Sequence, residues 1–361
     1  MRMKPPALVL LLSATSAFAQ SHGNTKNTSG TVAGVPAVTD QTTFVYKGLN
    51  LGLYNDLTTG LGTNTPPSLH DSWGKSSAAA IQTIDGAVVG MILGLSNAVL
   101  FGTQLPTNFV NQTDTLRSEG IVNSTFNVVE GALGSTPSSE WENNNYGSYT
   151  HANVLLKKAG FTPSQVQILF IENADANVPP DGLLSTATSL APPAPHIPPL
   201  STDADYWNLI YNMGIQFRYL RTQYPNLQQV FLHARIYAGY AVYTASNPEP
   251  FAFEQSMAIK YLVMAQSLQQ ENGTIDPVAG DLLTNCPWIG WGYYMWANGD
   301  TPRDDGLTWL TSDYQTTGGS AYVHPNGTGV AQQVNWPVNG ATAFYLASPY
   351  SAPWYAAPAA R

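Results

Sequence analysis

A serine hydroxyl becomes an effective nucleophile when a base takes its proton. The charge it then creates on a carbonyl oxygen needs N–H donors around it. This 361-residue chain carries those parts at four separated places. Ser96 stands in Gly94-Leu95-Ser96-Asn97-Ala98, directly after the apolar run Val88 to Leu93. The residues that follow can start a helix, whose first N–H groups favour negative charge. Gly134 lies in Ala132-Leu133-Gly134-Ser135-Thr136, beyond a second apolar run, and a glycine there lets the backbone turn sharply and expose an N–H. Asn173 comes just after Val166 to Ile171, and its amide can donate to an oxyanion. His324, in Val323-His324-Pro325-Asn326-Gly327, can act as general base. Each residue alone has an ordinary structural explanation. The order of the four on successive loops is the more specific observation.

The elements that must position them are legible as short apolar runs separated by helical patterns. Val88 to Leu93, Phe126 to Val129, Val166 to Ile171 and Val230 to Leu232 read as buried strands, and Trp288 to Trp291 as a fifth. Thr150 to Ala159, Asp203 to Thr222 and Glu254 to Gln270 read as helices. The second of these begins on the N-capping types Ser201-Thr202-Asp203 and places Trp207, Ile210, Tyr211, Ile215 and Tyr219 on one stripe. Strands alternating with helices predict a three-layer αβα sandwich around a mostly parallel five-stranded sheet, with any ligand beyond the C-terminal strand ends. The stretch from Thr43 to Asp85 reads as polar and irregular. The Pro-rich stretch from Pro179 to Pro199 is long for a connector, and reads either as an excursion near the site or as a plain solvated loop.

Met1 to Ala19 has a basic start, a short apolar run and a terminal Ala-x-Ala, the pattern of a secretory signal peptide cleaved after Ala19. This predicts a secreted or periplasmic protein. Residues 20–42 read as a flexible leader, 43–345 as one domain and 346–361 as a C-terminal tail. No run approaches the length of a membrane span, so stable membrane insertion is not expected. Charged residues are only 10% of the chain, and the net charge of −9 argues against a nucleic-acid partner. The single cysteine, Cys286, rules out an intrachain disulfide and reads as buried. The six histidines lack metal-ligand spacing, so neither a metal nor another cofactor is expected.

The order serine, glycine, asparagine, histidine resembles the SGNH hydrolase superfamily, a GDSL-like group. Met91 to Ser96 resembles its first block, with Leu95 where the family usually has aspartate. Ala132 to Thr136 resembles the second, Val166 to Asn173 the third, and His324-Pro325-Asn326 the fifth. Further segments, among them Ala234 to Tyr240, Asn247 to Pro250 and Asp305 to Trp309, resemble a secreted bacterial subgroup. The resemblance implies a flavodoxin-like sheet and a serine esterase. In it Ser96 is the nucleophile, His324 the base, and Ser96, Gly134 and Asn173 the oxyanion donors. The family's fifth block reads Asp-x-x-His, and here Ala321 occupies the acid's position. Asp304, Asp305, Asp313 or a backbone carbonyl would have to orient the imidazole.

Other residues bear on the substrate. Arg235 and Tyr237 follow the fourth strand, so both should face the same cleft. Arg235 could hold a carboxylate bidentately or pair with Glu249 or Glu254. Trp291, with Trp288, Tyr293, Tyr294, Trp296 and Trp309, could stack on sugar rings or fill the core. Two function classes follow. One is a secreted esterase acting on small-molecule or carbohydrate esters, and the other a non-catalytic carbohydrate-binding protein on the same scaffold. A third reading makes Gly94 to Ala98 the nucleophile elbow of an α/β-hydrolase. Little chain precedes Ser96 for the strands that fold would need there.

Overall fold

The computed structural model describes residues 32, 34–174, 205–241, 248–318 and 321–358. The signal-peptide segment, the capping residues Ser201 to Asp203 and the Pro-rich stretch lie outside them.

The five expected runs form one sheet: β1 (Val88–Gly94), β2 (Phe126–Glu130), β3 (Val166–Glu172), β4 (Gln229–Leu232) and β5 (Trp288–Trp291). Every pairing is parallel, and the spatial order is β2-β1-β3-β4-β5. Strands β1 and β3 are buried along their whole length, which is why they read as continuous apolar runs rather than alternating ones. The helices are α1 (Ser68–Ala80), α2 (Ser96–Val99), α3 (Phe109–Ser118), α4 (Ser148–Lys158), α5 (Asp205–Gln223), α6 (Phe251–Asn272), α7 (Gly327–Asn335), α8 (Ala341–Ala347) and α9 (Ala352–Tyr355). A π-helical turn, Leu100–Gln104, extends α2. Helices α4, α5 and α6 cover one sheet face, and α1, α3, α8 and α9 the other. The result is a three-layer αβα sandwich.

Aromatic packing locks the second face. The Phe170 ring of β3 meets Phe109, Phe231, Tyr345 and Trp354 at centroid distances of 5.5, 6.1, 5.0 and 6.4 Å. Those rings come from α3, β4, α8 and α9, so one residue joins four elements. Edge-to-face and offset pairs of this kind add to the burial of their area.

Three boundaries differ from the sequence reading. Helix α1 lies inside the stretch read as irregular. It packs through small residues: a Cβ on Gly74 would lie 2.7 Å from the Trp288 ring. Residues placed in the flexible leader are core, since Val35, Ala37 and Val38 are buried and the Tyr294 hydroxyl accepts from the Val38 N–H. The stretch expected to be a tail contains α9, whose Trp354 is buried and donates to the Gln229 side chain of β4.

Candidate active site

In a sheet of order 2-1-3-4-5, the strand order reverses between β1 and β3, and the crevice beyond their C-terminal ends is the place for a ligand. Ser96 follows β1, Gly134 follows β2 and Asn173 follows β3. The ladder continues past the strand ends and ties these loops together. The Leu95 N–H donates to the Glu172 carbonyl at 3.2 Å, and the Leu133 N–H to the Gly94 carbonyl at 3.0 Å. Gly94 makes the turn possible. Its φ is 135°, and a Cβ there would lie 2.0 Å from the Glu172 carbonyl oxygen. The chain then enters α2 with Ser96 as its first residue.

His324 arrives from the far end of the sequence, and its Nε2 lies 2.7 Å from Ser96 Oγ across 228 residues. The loop that carries it is clamped on both sides. The Gln315 N–H donates to the His324 carbonyl, and the Tyr322 N–H to the Gln315 carbonyl, each at 2.9 Å. Tyr322 itself takes a left-handed φ of 61°. The Asn326 side-chain oxygen caps α7 by accepting from Thr328 and Gly329, while its amide donates to the carbonyls of Ser312 and Tyr314. The Tyr314 hydroxyl in turn donates to the Tyr237 carbonyl, tying the histidine loop to the segment after β4.

Neither the Ser96 nor the Gly134 backbone N–H has a protein acceptor among the described residues. Gly134 is exposed, and a Cβ built on it would meet only Ser96 Cβ, at 4.0 Å. The glycine therefore keeps space open beside Ser96. The left-handed residue of this turn is its neighbour Ser135, at φ 65°. Asn173 lies deeper than expected. It is fully buried, one amide N–H donates to Gln216 Oε1 at 2.8 Å, and its carbonyl accepts from Gln255. Its second amide N–H has no acceptor among the described residues.

No carboxylate among the described residues bonds the distal nitrogen of His324. Asp305 is held by Arg303 and by the Asn339 amide at 2.9 Å. Asp304 receives no imidazole contact, and its N–H donates to Asp40. Asp313 accepts from the Leu310 N–H at 2.7 Å. Burial, and secondarily the Arg235 guanidinium, hold the His324 pKa down to about 4.

The residues expected to contact substrate are placed differently. Arg235 is buried, in the fields of Glu172 and Glu249, and its Nε and Nη1 have no hydrogen-bond partner among the described residues. Glu254 is not its counter-ion, because Lys47 pairs with that carboxylate at 2.8 Å. Burial pushes both Glu172 and Glu249 up to about 7, against the pull of Arg235. The Asn97 amide lies near Glu172, but neither carboxylate oxygen has a hydrogen bond of good geometry among the described residues. Tyr237 is buried, and Trp291 is buried with its indole N–H on the Leu53 carbonyl. The other five aromatics proposed for sugar stacking are buried too, so these rings build the core.

The sequence reading missed Gln255 of α6. Its Nε2 donates to the carbonyls of Asn173 and His233, and its Oε1 accepts from the Arg235 N–H. One side chain thereby fixes the ends of β3 and β4. A glutamine inside an apolar helix, facing the sheet edge, was the available signal. Cys286 is buried, with its thiol pushed up to about 12 by that burial. Among the described residues no group of three or more His, Cys, Asp or Glu side chains could hold a metal ion. No helix among them is long and apolar enough to cross a membrane. No family model and no curated protein matches the chain.

Proposed function

We propose that the chain is an exported serine esterase with Ser96 as nucleophile and His324 as base. The observation that carries this is the 2.7 Å contact between Ser96 Oγ and His324 Nε2. Packing gives no reason for two half-buried polar side chains 228 residues apart to meet at the switch point of the sheet.

The chemistry follows from the geometry. With its proton on Nδ1, His324 presents a lone pair at Nε2 and takes the Ser96 proton as Oγ attacks the acyl carbon. The carbonyl oxygen becomes an oxyanion beside the free N–H groups of Ser96 and Gly134, and the second N–H of Asn173 is the third candidate donor. Collapse expels the alcohol, which takes its proton from the imidazolium. Water, deprotonated by the same nitrogen, then releases the acid.

The missing acid gives the reading a distinctive pH dependence. An aspartate would raise the imidazole pKa, whereas burial and Arg235 lower it from the ordinary 6.5 to about 4. The free base therefore persists below neutrality and is lost only as pH falls through that value. We expect kcat/KM for p-nitrophenyl acetate to stay level from pH 7 to about 5, then fall with a midpoint near 4. A midpoint near 6.5, on protein shown to be folded throughout, would contradict the assignment of His324. The binding-only reading draws support from the absent acid but loses its aromatic platform, since those rings are buried. A screen of acyl esters on purified protein separates the two readings.

A further inference from the structure

His324 stands on a turn three residues before α7, outside any strand or helix. A displacement of about 1 Å at reacting groups can cost about 10²-fold in rate, so whatever fixes this turn bears on turnover. Two residues on, the Asn326 side chain uses both ends of its amide. Its Oδ1 accepts from the Thr328 and Gly329 N–H groups at 2.9 and 3.2 Å. Its Nδ2 donates to the Ser312 and Tyr314 carbonyls at 2.7 and 3.0 Å. Two N–H donors on one side and two carbonyls on the other admit only one orientation of the amide.

The helix cap does not by itself call for asparagine, because serine or aspartate serves equally well there. The two bonds to carbonyls do, because neither serine nor an ionised aspartate has two protons to give. Those bonds tie the histidine turn to the segment Ser312 to Gln315, and the backbone completes the join. The Asn326 N–H donates to the Asp313 carbonyl and the Gln315 N–H to the His324 carbonyl, each at 2.9 Å. Gln315 Nε2 donates to the Pro325 carbonyl at 3.2 Å. The fit is close, since a Cβ on Gly329 would run into the Asp313 carbonyl. The segment is itself anchored, through the buried Tyr314, whose hydroxyl donates to the Tyr237 carbonyl after β4.

We propose that Asn326 is a positioning residue for the reaction, holding the backbone of His324 where Nε2 meets Ser96 Oγ. The proposal rests on the esterase reading above. It assigns to a backbone clamp part of the restraint that an acid behind the imidazole would otherwise supply.

The test compares Asn326→Ser with Asn326→Ala. Serine keeps the cap but cannot donate to both carbonyls, and alanine loses cap and clamp together. Both variants should lower kcat for p-nitrophenyl acetate by a similar factor, roughly tenfold to a hundredfold. KM should stay within about twofold, because the loss falls on the transition state. Only Asn326→Ala should also unfold at a clearly lower temperature. Turnover per folded molecule then follows the amide and not stability. A second readout needs no hydrolysis. The His324 Cε1–H NMR signal, assigned with His324→Gln, should move between the wild type and Ser96→Ala as the 2.7 Å contact is lost. On the Asn326→Ser background the same Ser96→Ala substitution should move it far less. Wild-type kcat in Asn326→Ser would overturn the proposal, and so would an undiminished shift on that background. A wild type that hydrolyses no ester would remove the esterase reading instead, and the NMR comparison would still decide whether Asn326 holds His324 against Ser96.

Discussion

On the proposed mechanism, Ser96→Ala should lower ester hydrolysis by at least about 10²-fold and leave the fold intact. The size of the loss follows from the missing acid. In a serine-protease triad, losing the serine costs about 2 × 10⁶ in turnover and losing the acid alone about 3 × 10⁴. These losses are not additive, because the residues act as a unit. An enzyme that starts without the acid therefore has roughly 10²-fold left to lose when the serine goes. We expect kcat to fall by at least that factor. The Ser96 side chain is half-buried and has one hydrogen bond among the described residues, to His324, so stability should change by no more than about 1 kcal/mol. Undiminished turnover in the variant would remove Ser96 from the mechanism, and parallel loss of activity and folding would mark it as structural.

Gly94→Ala should produce the largest effect on stability at the site. At φ 135° an L side chain is strained, at roughly 1–3 kcal/mol. The new Cβ would also stand 2.0 Å from the Glu172 carbonyl oxygen, the acceptor for the Leu95 N–H. Relieving that clash separates β1 from β3 at the switch point, and forced overpacking adds about 1–3 kcal/mol. A total near 3 kcal/mol or more corresponds to a drop of roughly 5 °C or more in the unfolding midpoint of a domain this size. Gly134→Ala is the matching control, because its Cβ meets only Ser96 Cβ, at an ordinary 4.0 Å. It should unfold near the wild-type temperature. Circular dichroism melts of the two variants test the contrast, and a wild-type midpoint for Gly94→Ala would refute it.

The sheet was legible because parallel strands buried on both faces must be apolar throughout. Val166 to Ile171 could hardly be anything else once a helical pattern stood on either side. The order of the site residues was legible for the same reason, since a polar residue just after such a run lies at the C-terminal edge. Helix α1 was hidden because its buried residues are His70, Gly74, Ser77 and Ala78, polar or small side chains that leave no apolar stripe. The inter-strand hairpins Val45–Tyr46 with Leu49–Asn50 and Tyr54–Asn55 with Gly62–Thr63 are two residues per strand, too short for any periodicity. The depth of Asn173 and the burial of Arg235 depend on contacts with Gln216, Gln255, Glu172 and Glu249 from other elements. Residue order along one strand end cannot show how far a side chain reaches into the neighbouring layer. The carbonyl or carboxylate expected behind His324 illustrates the same limit. Asp305 stands in the right turn by sequence, yet Arg303, two residues away, captures it.

The claim that Ser96 is an activated nucleophile has a direct chemical test. Fluorophosphonates react with a serine only when a base draws off its proton and N–H donors receive the phosphoryl oxygen. The folded full-length protein should gain the mass of one phosphonyl group at pH 7, with peptide mapping placing it on Ser96. His324→Ala and Ser96→Ala should remain unlabelled. An unmodified protein under conditions where its fold is intact, or a label on any residue other than Ser96, would contradict the account.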